Sequence, residues 1–103
     1  MKLSLIGAPT DVGASVPGCR LGPGGLRIAG LGTALTALGH DVEDAGDLVG
    51  PPNPRQAPVK GYRHLPEVTA WNTTVRDAVA DALARERLPI LLGGDHSLAV
   101  GSI

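Results

Sequence analysis

Leu88-Pro89-Ile90-Leu91-Leu92-Gly93-Gly94-Asp95-His96-Ser97 decides the fold. Its first five positions are aliphatic except for Pro89, and a short apolar run closed by two glycines reads as a strand buried in a parallel sheet. Two consecutive glycines let the backbone leave that strand at angles other residues do not adopt, and the side chains that follow are an acid, an imidazole and a hydroxyl. A second short apolar run, Leu3 to Ala8, closed by Pro9, has the same character. Between the two lie longer segments with helical spacing, so the coarse order is β-α-β-α-β and the class is α/β.

Working outward, Thr10 to Gly22 holds Gly13, Pro17 and Gly18 and shows neither period, as expected of a loop leaving the carboxyl end of the first strand. A helix is expected to open with Pro23 and to run through Ile28, Leu31, Leu35 and Leu38 until Gly39 stops it. Asp41 to Ala45 is too polar to be covered on both faces and belongs at a sheet edge. Gly46 to Leu65 carries Pro51, Pro52, Pro54 and Pro58 and reads as an extended surface loop. The second helix begins near Pro66 and ends before Pro89, with Val68, Trp71, Val75, Ala78 and Ala82 on one stripe and an Asp81 to Arg85 pair opposite. A polar edge strand and two apolar strands give the spatial order 2-1-3, with right-handed crossovers that send the helices to opposite faces. The order reverses between strands one and three, and ligands of open α/β sheets bind at such a reversal, outside the carboxyl ends of the strands. The loops after Pro9 and after Gly93 are therefore expected to face each other.

Composition narrows the chemistry. The 103 residues are 43% apolar, and with acids and bases intermixed the formal charge is -1, so there is no footprint for nucleic acid or an anionic membrane. The mean hydropathy is +0.12 and no run approaches the roughly 20 apolar residues of a membrane span; the start of the chain is too short in apolar residues for a signal peptide. The single cysteine, Cys19, forms no intrachain disulfide, which fits a reducing, cytoplasmic setting. No glycine spacing completes a nucleotide fingerprint, and Ser97 lacks the turn that presents a hydrolase nucleophile. Two readings of the decisive string stay open at this level. His96 ligates a metal, or Asp95 or Ser97 caps the next helix and His96 is an ordinary loop residue. Likewise Asp11 and Ser15 either line the mouth of the cleft or serve a turn.

A wider set of residues bears on that choice: Gly7-Ala8-Pro9 with Gly13, then Gly22-Pro23, Leu26-Arg27, Ala29-Gly30-Leu31, Asp41-Val42, Asp44, Gly46-Asp47, and finally Leu92 through Ser97 continued by Leu98-Ala99-Val100-Gly101-Ser102-Ile103. This set resembles the arginases of the ureohydrolase family. Agmatinases, the near relatives, tend to continue the last string with Ile-Thr-x-Pro. The resemblance implies a three-layer parallel-sheet sandwich of the arginase type, of which residues 1–103 supply the first β-α-β-α-β portion, the amino-terminal part of a single domain that stops before most of the metal site. It implies a hydrolase of arginine metabolism, as in the urea cycle, that converts L-arginine to L-ornithine and urea with two manganese ions, and a trimer or hexamer. His96 would be a manganese ligand, bound as neutral imidazole with its other nitrogen held by a further acceptor, and Asp95 would support or cap. The family's other ligands come from a later Asp-x-His-x-Asp segment and a later Asp-x-Asp pair, which these residues do not contain. Substrate-binding and proton-shuttle residues would lie there too, so no catalytic residue is assigned and the 103 residues alone are expected to be inactive. His40 and His64 are expected to be solvated and not to replace the other ligands. The alternatives are another ureohydrolase, agmatinase or guanidinobutyrase, and a non-catalytic α/β binding or assembly module.

Overall fold

The computed structural model describes all 103 residues. Strand β1, Lys2–Ala8, is central in a three-stranded parallel sheet, with β2, Asp41–Asp47, on one side and β3, Leu88–Gly93, on the other. This is the 2-1-3 order expected from strand polarity. β1 is buried from Leu3 onward, while β2 alternates between exposed and half-buried positions, as its acids require at an edge. β2 runs two residues beyond Ala45. Gly46, at φ 80°, absorbs one extra residue, so the register passes from Leu5 opposite Asp44 to Gly7 opposite Asp47.

Alternation along β1 splits the core into two layers. Ile6 and Ala8 face helix α3, Leu65–Ala84, and join a cluster with Val12, Trp71, Val75, Val79, Ala82 and Leu98. Leu3 and Leu5, each 2% exposed or less, point the other way. Fully burying such a leucine contributes about 1.5–3 kcal/mol. Over Leu5 lies helix α2, Leu31–Ala37, close enough that a Cβ on Gly32 would sit 3.9 Å from the Leu5 side chain. Helices therefore cover both faces, in three layers.

The first helical segment is not continuous. Helix α1, Gly22–Ile28, ends before Gly30, which takes φ 92° and starts α2 on a new axis. The expected stripe fails with it: Ile28 is 90% and Leu38 74% exposed, and Leu31 and Leu35 are half-buried. Ion pairing anchors α1 instead. Arg27 forks onto Asp44 through Nε (2.8 Å) and Nη2 (3.0 Å) and reaches Asp47 through Nη1 (2.5 Å). The guanidinium holds the Asp44 carboxyl below the ordinary range and is itself pushed up by the two acids.

On helix α3 Trp71, Val75 and Ala82 of the expected stripe are buried, Val68 and Ala78 are half-buried, Val79 joins the buried set, and Arg85 pairs with Asp81 at 2.9 Å. The proline-rich segment before it packs down: Trp71 Nε1 donates to the Pro51 carbonyl at 2.8 Å. No helix is long and apolar enough to cross a membrane.

Candidate functional site

The loops leaving β1 and β3 meet at the sheet's reversal point, as the strand order requires. Gly94, at φ 26°, lies against the Ala8 and Thr10 carbonyls, where any Cβ would collide with both. That contact brings the chain across so that Asp95 N donates to the Thr10 carbonyl (3.2 Å).

Asp95 then ties the two loops. One carboxylate oxygen accepts from Gly13 N at 2.9 Å, and the other accepts from Ser97 N at 2.8 Å. The second bond makes Asp95 the N-cap of a tight turn, His96–Leu98, that leads into the short helix α4, Ala99–Ser102. Gly13 is without a side chain for a local reason: a Cβ there would lie 2.5 Å from an Asp95 carboxylate oxygen and from Ser97 Oγ. From the other side Asn72 of α3 holds the turn, its Nδ2 donating to the Ser97 carbonyl (2.9 Å) and its Oδ1 accepting from Gly101 N (2.6 Å). The capping role weighed for Asp95 is thus present, and it does not exclude the ligand role of its neighbour.

His96 projects from the middle of this clasped turn, exposed, beside a cavity of about 390 Å³ lined also by Leu91, Gly94, Asp95 and Ser102. No side-chain hydrogen bond within the chain engages its ring, so both nitrogens are free to meet a ligand. Nothing in the chain completes a metal site around it: no group of three or more His, Cys, Asp or Glu side chains is placed to hold an ion. The donor set is one imidazole beside a carboxylate already committed to two amides. These residues fit a single ligand of a metal centre and do not fit a binuclear site by themselves.

The other candidates sort differently. Asp11 is 3% exposed and accepts from Asn53 Nδ2 (2.9 Å) and Gly18 N (3.0 Å), with Arg20 at 3.9 Å. The Asn53 bond, then the Gly18 bond, hold its carboxyl below the usual range despite burial. It organises the β1 loop, while Ser15 is exposed on that loop. His40 is half-buried, with Nδ1 3.1 Å from the amino terminus.

His64 overturns an expectation. It is 7% exposed, not solvated. Its backbone is at φ 50°, Nδ1 donates to the Val12 carbonyl at 2.7 Å, and Nε2 lies 3.0 Å from both the amide nitrogen and the carbonyl oxygen of Gln56. It fastens the proline-rich segment to the β1 loop. Asn72 and Asn53, which fasten the other two edges of the site, carried no sequence signal beyond a polar residue within a helix or loop.

Comparison with known proteins follows this geometry. Residues 1–103 match the model of the Arginase family. The chain is 35% identical over 102 residues to the arginase of Brevibacillus brevis, covering 99% of this chain and 34% of that protein, and 38% identical over 104 residues to that of Staphylococcus aureus strain COL, covering 98% and 34%. Among solved structures it superimposes on the arginase of Bacillus caldovelox with TM-score 0.88 at 36% identity (98% of this chain, 34% of that one) and on that of Bacillus subtilis strain 168 with TM-score 0.84 at 32% identity (99% and 33%). The chain spans about a third of the length of the curated relatives it matches. With the family model matching from the first residue to the last and the solved arginases sharing the sheet and its covering helices, the chain belongs to the arginase family.

Proposed function

We propose that residues 1–103 are the amino-terminal part of an arginase-like α/β domain, in which His96 is one ligand of a binuclear manganese centre and the substrate is L-arginine, cleaved to L-ornithine and urea. The observation that carries this reading is an unengaged imidazole on a turn fixed from both sides, at the carboxyl end of β3 where the sheet order reverses. A ligand needs a fixed position and a free lone pair, and His96 has both. When bound, the two ions supply the charge that makes water a nucleophile near neutral pH, and hard oxygen donors with imidazole suit manganese.

This chain's own contribution is positional. Gly94 brings the turn against β1, Asp95 clasps it to the loop at Gly13, Asn72 braces it from α3, and His96 stands exposed on that turn. The remaining ligands and the groups that hold substrate and move protons belong to polypeptide beyond these residues, so the 103-residue chain by itself is inactive. The enzyme is cytoplasmic and a trimer or hexamer on this reading. No feature of the structure favours agmatine or 4-guanidinobutyrate over L-arginine; the similar relatives are arginases.

The test joins residues 1–103 to the portion of the Brevibacillus brevis arginase that they do not match. Manganese content and urea release are measured with L-arginine, agmatine and 4-guanidinobutyrate. Urea release from L-arginine is expected, and His96→Ala lowers manganese content and urea release together. Unchanged manganese stoichiometry in that variant refutes the ligand role.

A further inference from the structure

Among the arginines ion pairing is nearly complete, and the two exceptions lie together. Of the seven arginines, Arg27, Arg76, Arg85 and Arg87 each have a carboxylate oxygen at 2.9 Å or closer, and Arg20 approaches Asp11 at 3.9 Å. Arg55 and Arg63 pair with none, and neither guanidinium donates a hydrogen bond within the chain. Both line the same cavity, of about 370 Å³, together with Ser15, Asn53, Gln56 and His64. No acidic residue lines it. Arg63 is half-buried, which removes part of its hydration without supplying a counter-charge.

The two arginines stand on fixed backbone. Arg55, at φ 53°, donates its N–H to Asn53 Oδ1 (2.8 Å), and Asn53 donates in turn to Asp11. Arg63 precedes His64, whose ring joins Val12 to Gln56. Asp11, the one buried acid, is already engaged by Asn53, Gly18 and Arg20. A second cavity of about 290 Å³ shares Asn53 and Arg55 and adds Arg20 together with Asp11, which Arg20 approaches at 3.9 Å.

We propose that the cavity between Arg55 and Arg63 is a binding site for an oxyanion, a carboxylate or phosphate group of a small metabolite. A guanidinium presents parallel N–H donors that match two oxygens of such a group, and two arginines lining one cavity without an acid select for it. The site is separate from His96, and it stands or falls independently of metal binding.

The experiment uses the 103-residue chain labelled with nitrogen-15 and follows the arginine Nε–H signals during titration with inorganic phosphate and, separately, sodium acetate, with sodium chloride at matched ionic strength. Saturable shifts of the Arg55 and Arg63 signals, with Arg76 and Arg85 unmoved, are expected. Phosphate alone producing them identifies a phosphate site, acetate alone or both a carboxylate-tolerant one. Arg55→Gln or Arg63→Gln weakens the affinity about tenfold or more, and Arg55→Lys, which keeps the charge but not the fork, weakens it also. Amide signals of α3 report that each variant is folded. Shifts that do not saturate, that are equal at all arginines, or that match chloride overturn the proposal, as does unchanged affinity in both glutamine variants.

Discussion

Removing the Asp95 carboxylate separates the two loops that frame His96, and the cost follows from the two bonds it makes. Asp95→Ala deletes the acceptor for Gly13 N (2.9 Å) and Ser97 N (2.8 Å). Hydrogen bonds to a charged acceptor contribute about 1.5–3 kcal/mol each, and an N-cap replaced by alanine costs about 1 kcal/mol. The Ser97 bond is an N-cap and recovers water on loss, so the lower figure applies to it; the Gly13 bond crosses between loops in a half-buried place and takes the higher range. The sum is about 2–4 kcal/mol. For a domain of this length each kcal/mol moves the melting temperature by about 4–8 °C, so the midpoint falls by about 8–32 °C. Asp95→Asn keeps one acceptor oxygen and turns an NH2 toward an amide donor, and loses about half as much. Circular dichroism follows the melt, and amide exchange at Gly13 reports the local contact, its protection falling about 30-fold or more. A midpoint shift under about 2 °C with unchanged Gly13 protection refutes the clasp.

Other substitutions test other joints of the structure. Gly30→Ala forces a side chain into φ 92° between α1 and α2 and costs about 1 kcal/mol; a stabilised protein in urea denaturation shows that the helix is continuous after all. Leu5→Ala, at a site 1% exposed, costs about 2–5 kcal/mol by the same assay, and a loss below about 1 kcal/mol contradicts the two-layer core. Acid lowers stability in a defined direction. Asp11 and Asp44 have folded pKa values below their unfolded ones, so their contribution is fully present above about pH 4 and is lost as pH falls through the folded values; Asp11→Asn flattens the acid limb of stability against pH, and an unaltered limb refutes the assignment. The 103-residue chain binds no stoichiometric manganese in calorimetry, and micromolar or tighter affinity contradicts the single-ligand reading of His96.

The sheet was legible because its signal is local. The polarity of Asp41-Val42-Glu43-Asp44 against the apolar runs at Leu3 and Leu88 is written in consecutive residues and places β2 at an edge, although β3, as apolar as β1, takes the other outer position. Helix α3 was legible for the same reason, since a stripe sustained from Trp71 to Ala82 averages over many turns. The first helix misled because Ile28, Leu31, Leu35 and Leu38 keep helical spacing only if Gly30 is counted as an ordinary helical residue. One positive φ rotates everything after it, and Arg27, pairing with acids on β2, fixes α1 in a way no apolar period records.

His64 shows the limit more sharply, and it bears on how the site is held. A histidine among prolines and polar residues has no local reason to be buried; its reasons are the carbonyl of Val12, 52 residues earlier, and the amide of Gln56. The same holds at Asp95, whose partner Gly13 is 82 residues away. Such bonds form only after the loops have been brought together, so their residues look like turn formers when read in sequence. What brings the loops together is the parallel sheet, which sets Ala8 opposite Gly93 and so delivers both chain exits to one end. The local pattern therefore specifies where the site lies, while the side chains that make it rigid act across that gap. Asn53 and His64 join the β1 loop to the proline-rich segment and Asp95 joins it to the turn after β3, and that shared anchorage fixes the backbone that carries His96, Arg55 and Arg63.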